Sequence, residues 1–111
     1  MNFPEIITRL PAADLPIPAE ALRTSVLASA QGQLVFFDVL TDIDLPPHSH
    51  KAQWGTVVEG EIELTIGGVT KRYRPGEPYF IPSGVVHSAR AFAGSKIIEF
   101  FEEPNRYKLR G

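Results

Sequence analysis

Residues 48–60 read His48-Ser49-His50-Lys51-Ala52-Gln53-Trp54-Gly55-Thr56-Val57-Val58-Glu59-Gly60, and they hold two of the chain's three histidines. On an extended strand, side chains two residues apart leave the same face, so His48 and His50 project together. Pro46 and Pro47 come just before and favour extended geometry, because proline fixes φ and biases the residue ahead of it toward β or polyproline conformation. The third histidine, His87, lies on a distant stretch. Two imidazoles on one face, met by a third from another strand, can occupy three adjacent positions around a metal ion.

The sequence on either side of these histidines is a succession of short strands and turns. Glu61 to Ile66 alternates strictly, with Ile62, Leu64 and Ile66 on one face and polar residues on the other. Gly67-Gly68 is a two-residue hairpin signal, and Val69 to Arg74 is the expected return strand. Further strands are expected over Arg23–Ala28, Leu34–Leu40, Trp54–Glu59, Val85–Phe92 and Lys96–Glu102. Pro78 to Pro82 reads as a short strand whose prolines place it at an edge or rim. Leu34–Leu40 is apolar on both faces, which predicts cover on two sides: the core on one, a second sheet or a subunit on the other. Asp42 to Pro47 is expected to be the loop that delivers the histidine pair. Residues 1–22 are rich in proline and read as an arm lying over the domain or reaching a second subunit, with one helical turn at Pro18–Leu22. Residues 23–111 then form a single all-β domain, and Tyr107 is the expected anchor of the polar tail.

Composition narrows the chemistry. The net charge is −2, and Lys71-Arg72-Tyr73-Arg74 is the only local basic cluster, which reads as the solvated face of a strand. No electrostatic footprint for nucleic acid is expected. There is no cysteine, so any metal must take nitrogen or oxygen ligands. The N-terminus has neither a positive n-region nor an apolar h-region, and no apolar run is long enough for a membrane span. A soluble, cytoplasmic protein with no membrane partner is the expectation.

Two stretches resemble the paired motifs of the cupin superfamily. From His48 to Gly60 there are two histidines one residue apart, a candidate ligand shortly after, and a closing glycine. In the second, Gly76 is followed after five residues by Pro82, then by Gly84 and His87; the motif's end, often asparagine, is Ala91 here. The fifteen residues between Gly60 and Gly76 resemble the short spacer of small bacterial single-domain cupins. The resemblance implies a double-stranded β-helix, or jelly-roll barrel, with the site in its mouth. It places His48, His50 and His87 at the three histidine ligand positions. Counting back from Gly60 by the family's spacing puts Gln53 at the acidic ligand position, with a spacer from His50 one residue shorter than usual. Glu59 and Glu61 flank the Gly60 turn and are expected to face solvent. Trp54 has the opposite parity to Gln53 and is expected to be a core or interface aromatic.

Imidazole suits zinc, copper, iron and nickel, whereas carboxylate-rich sets suit magnesium, calcium and manganese. The expected cofactor is one divalent transition metal (Zn, Fe, Ni, Cu or Mn), whose charge three histidines and a neutral amide leave uncompensated. The three-histidine set is similar to that of thiol dioxygenases and other oxygenases of the superfamily. The expected function is therefore a metal-dependent oxygenase or lyase/isomerase acting on a small organic molecule. The alternatives are a metal- or small-molecule-binding sensor module working in trans, and a barrel whose role is assembly. Beyond the histidines, no acid or base is clearly on the inward parity, and Tyr79 is the best remaining proton-transfer candidate. The two-faced apolar strands, including Ile97-Ile98 and Phe100-Phe101, and the proline-rich arm predict a homodimer.

Overall fold

Alternation of inward and outward side chains is clearest over Gly32–Val39, Gln53–Glu59, Ile62–Ile66 and Pro78–Ile81. In a computed structural model, which describes residues 1–110, nine strands follow one helical turn. They are α1 (Glu5–Thr8), β1 (Leu22–Ser29), β2 (Gly32–Val39), β3 (Ile43–His48), β4 (Gln53–Glu59), β5 (Ile62–Ile66), β6 (Val69–Tyr73), β7 (Pro78–Ile81), β8 (His87–Ala91) and β9 (Lys96–Phe101). They form two antiparallel sheets, ordered β1-β2-β9-β4-β7 and β3-β8-β5-β6. These close face to face as a jelly-roll barrel, with apolar side chains from both sheets meeting inside.

The core comes from one parity of each strand. Val35, Phe37 and Val39 of β2, Val57 of β4, Ile62 and Leu64 of β5, Ile81 of β7 and Ile97 and Phe101 of β9 are all buried. The β5–β6 hairpin turns through Gly67 and Gly68, both at positive φ, where a Cβ would be strained. The proline-containing strands lie at sheet margins, β7 at the edge of one sheet and β3 at the edge of the other. An edge needs fewer main-chain donors, so proline is tolerated there.

Three features differ from the sequence expectation. Asp42 to Pro47 does not form a loop: Ile43–His48 pairs with β8, with a register shift between Leu45 and His48 that absorbs the two prolines. The helical turn falls at Glu5–Thr8, where Pro4 occupies the cap and its carbonyl accepts from Thr8 N–H at 3.0 Å. At Pro18 the chain makes only a turn, with the amides of Ala21 and Leu22 both bonded to its carbonyl. The eighth strand begins at His87, because Val85 is still part of the preceding turn, bonded to the Pro82 carbonyl.

The N-terminal segment packs on its own barrel. Ala13 is buried, forms an isolated bridge with Leu109, and donates its amide to Thr24 Oγ1 at 2.8 Å. The outward face of β2 is partly covered by this segment, as Phe3 meets Phe36 edge-on at 5.5 Å. At the other end, the Gln33 side chain is fully buried and fully bonded: its Nε2 donates to the carbonyls of Pro104 and Tyr107, and its Oε1 accepts from Tyr107 N–H. That lock, with the Tyr107 ring 5.3 Å from Phe101, holds residues 104–107 against the barrel.

Truncation should distinguish interior from surface. Ile81→Ala, at 1% exposure, is expected to cost about 2–5 kcal/mol in denaturant unfolding, whereas exposed Val69→Ala should stay within about 0.5 kcal/mol.

Candidate metal centre

Strand pairing brings the histidines together. The β3–β8 register sets His48 opposite His87, and β5 sets Ile66 opposite His87 on the other side. His50 follows β3 in a bend that is tied back by Gly84 N–H donating to its carbonyl at 2.9 Å. The ring centroids lie 4.3 Å apart for His48 and His87, 4.8 Å for His50 and His87, and 5.3 Å for His48 and His50. One ligand nitrogen from each lies within 4.8 Å of the others.

Each imidazole is oriented by a main-chain carbonyl. His48 Nδ1 lies 2.8 Å from the Pro46 carbonyl, His50 Nδ1 2.7 Å from that of Lys51, and His87 Nδ1 2.9 Å from that of Val85. A carbonyl oxygen only accepts, so each Nδ1 carries a proton, and in the neutral ring Nε2 keeps its lone pair. The Nε2 atoms of His50 and His87 are buried without a hydrogen-bond partner. Oriented, deprotonated and otherwise unsatisfied nitrogens are what a metal ion would complete. The three histidines can therefore hold a metal ion, and their nitrogen donor set suits a transition metal.

Burial holds the His50 imidazole below the usual histidine range, helped by the Arg106 cation and the neighbouring imidazoles and opposed by its bond to the Lys51 carbonyl. Burial lowers His87 likewise, with His48 and Arg106 adding to it and the Val85 carbonyl opposing. The neutral form, which is the metal-binding form, is favoured at both.

Gln53 lines the same cavity as the histidines and is almost wholly buried. Its Nε2 donates to Glu99 Oε2 at 2.6 Å. The Tyr79 hydroxyl donates a short hydrogen bond to the same carboxylate oxygen. Because a carboxylate accepts, the amide must turn its NH₂ toward Glu99, which leaves Gln53 Oε1 facing elsewhere, buried and unpartnered. Burial pushes the Glu99 carboxyl up, while the bonds from Tyr79 and Gln53 hold it down. Burial, then the Glu99 charge, drives Tyr79 well above the usual phenol range. Gly55 makes this contact possible. It lies between Glu99 and Tyr79 in the cross-strand register, and a Cβ there would sit 2.5 Å from Cζ of the Tyr79 ring.

Glu99 is the acid that sequence reading missed. It shares parity with Ile97 and Phe101, both buried, but the apolar residues on the alternate positions of β9 hide the alternation. Arg106, also on the cavity wall, was missed because only the tertiary lock at Gln33 brings the tail there. Glu59 and Glu61 lie at the surface, paired with the Met1 amine and with Arg72 and Arg74. Trp54 is half exposed on the outer face of β4.

A family model described as a cupin domain matches residues 32–102. Among solved structures, the chain is similar to an RmlC-like cupin from Shewanella frigidimarina, with 26% identity, a TM-score of 0.70, and coverage of 88% of this chain and 86% of that one. KdgF from Halomonas sp. is similar at 23% identity and a TM-score of 0.67, over 83% of this chain and 86% of that one. Oxalate decarboxylase from Bacillus subtilis, described for its Mn(II) centers, is similar at 20% identity and a TM-score of 0.67. That match covers 78% of this chain but only 26% of the decarboxylase. Comparison with curated proteins finds no match.

The lowered histidines make stability depend on pH. The unfolded chain binds more protons than the folded one below the ordinary value of 6.5, so stability present above that pH is lost as pH falls through the lowered values. Glu99, raised when folded, acts with the opposite sign in its own range. Metal-free protein is therefore expected to lose thermal stability between about pH 7 and about pH 5, and the His50→Gln/His87→Gln double variant to lose much less, as read by calorimetry.

Proposed function

The chain belongs to the cupin family, and from that premise we propose that it is a small metal-binding cupin whose His48, His50 and His87, with Gln53 as a weaker oxygen donor, hold one divalent transition metal ion in the barrel mouth. The observation that carries this reading is the convergence of three imidazoles, each with Nδ1 tied to a main-chain carbonyl. The bound ion would supply Lewis acidity or redox chemistry to a small organic molecule in the cavity of about 520 Å³ between the sheets.

The reading includes catalysis, as an oxygenase or a lyase/isomerase. What supports it is the Glu99–Tyr79 pair on the cavity wall, a carboxyl and a phenol joined by a short hydrogen bond and able to hold or pass a proton. A sensor module in trans is the competing reading. Oxygen uptake by iron-loaded protein, tried against thiols, catechols and diketones, divides the two. We place the protein in the cytoplasm on the sequence expectation; among the described residues no helix is long and apolar enough to cross a membrane. Residues 1–22 are taken as an arm of the barrel domain that follows.

Metal content of protein purified without a histidine tag tests the centre. His87→Ala is expected to lower occupancy at least about tenfold, since it removes one of three strong donors, and Gln53→Ala only a few-fold. Equal occupancy in all three proteins would refute the assignment.

The same reading includes a homodimer, formed through the outer face of the five-stranded sheet. Cross-strand register sets Leu27 opposite Leu34, Leu34 opposite Phe100, Phe100 opposite Trp54 and Trp54 opposite Phe80. This uncharged row crosses all five strands, and Leu27, Trp54 and Phe80 are 56%, 43% and 59% exposed. A flat row of this kind is self-complementary under a two-fold axis. Sedimentation at micromolar concentration should show a dimer that Phe100→Glu converts to monomer; a wild-type monomer would remove the claim.

A further inference from the structure

Arg106 stands on the wall of the metal-centre cavity. Its guanidinium lies over two aromatic rings, 4.6 Å from the Tyr107 centroid and 5.6 Å from that of Phe101. Its Nε is buried and has no hydrogen-bond partner. Among the described residues, no ion pair includes it. The position is not loose: Gln33 bonds the carbonyls of Pro104 and Tyr107 and the amide of Tyr107, which clamps the chain on both sides of Arg106.

A guanidinium whose Nε is buried normally has a carboxylate or phosphate partner, because an unpaired charge in a partly desolvated site is costly. The cavity's own carboxylates do not form an ion pair with Arg106: Glu99 is near enough to feel its charge without pairing, and Asp14 pairs with Arg110. The Glu99 carboxylate oxygen that faces the network already accepts from Gln53 and Tyr79. Much of the remaining wall is aliphatic, including Ile62, Leu64, Ile81 and Ile97. A fixed planar cation beside a candidate metal centre, in a chamber with a largely aliphatic wall, is complementary to an anion with two coplanar oxygens on an apolar body.

We propose that Arg106 is the recognition residue for a carboxylate, so that the cavity takes a small organic acid with an aliphatic body. The acid's carboxylate would lie on the guanidinium, and a second oxygen on the neighbouring carbon would reach toward the histidines. Only that second contact rests on the metal-centre reading; the carboxylate contact stands on Arg106 alone.

Calorimetric titration of the full chain with 4-methyl-2-oxopentanoate and with its methyl ester tests this, in metal-free and zinc-loaded protein. The acid should bind at least about tenfold more tightly than the ester in both forms, since esterification removes the charge and one acceptor oxygen from the bidentate pair. Arg106→Met retains the hydrocarbon contact with Phe101 and Tyr107, and should weaken the acid at least about tenfold while leaving the ester unchanged. Arg106→Lys should recover part of the loss. Zinc stoichiometry should be unaltered in both variants. Equal binding of acid and ester, no binding of either, or undiminished acid binding in Arg106→Met overturns the proposal. If Arg106→Met fails to fold, the wild-type comparison of acid with ester and the Arg106→Lys variant decide. Absence of zinc binding sinks the metal-centre reading separately, because acid-over-ester selectivity is still read on metal-free protein.

Discussion

Antiparallel pairing of β3 with β8 places His48 across from His87, and the candidate centre depends on that pairing. Imidazoles carried by segments some forty residues apart can be held only if the sheet sets their separation. The register shift beside Pro46 and Pro47 matters here. It lets a proline-containing edge strand return to register at the histidine, and the Pro46 carbonyl it exposes then fixes the ring of His48. The other two rings are fixed by the same device, a carbonyl one or two residues away in the chain. Main-chain geometry, rather than carboxylate second partners, therefore orients the donors.

The cavity is asymmetric in charge. A neutral amide stands where the family resemblance implies an acidic ligand, and the Glu99 carboxyl beside it is engaged with that amide and with Tyr79. Gly55 is the structural condition for this arrangement, since it is the absence of a side chain between Tyr79 and Glu99 that lets a phenol reach across β4. With Arg106 on the same wall, the chamber has more positive character than the chain's net charge of −2 suggests. Local field, not overall charge, decides what enters such a site.

Much of this was legible from the residues in order. Strict alternation in Ile62, Leu64 and Ile66 located a strand and its inward face; Gly67-Gly68 located a hairpin; the prolines of β7 marked an edge. The histidine spacing singled out the three residues that the fold brings within reach of one another. Asp42 to Pro47 was misread as loop because proline argues against a strand in isolation, and only an available edge makes it tolerable. Glu99 was hidden because β9 is apolar on both faces, so its parity had no contrast to reveal it. The uncharged row across β1, β2, β9, β4 and β7 is likewise a property of register, invisible until five separate strands are aligned.

The sequence by itself determined most of the strands and turns and which imidazoles are available, because alternation, glycine and proline act over a few residues. The tertiary structure alone decided which groups share the cavity with those imidazoles. Glu99 meets Gln53 from forty-six residues along the chain, and Arg106 is delivered by a buried amide seventy-one and seventy-four residues from its bonding partners. Such contacts depend on strand register and on the satisfaction of buried polar groups, and neither leaves a local signature.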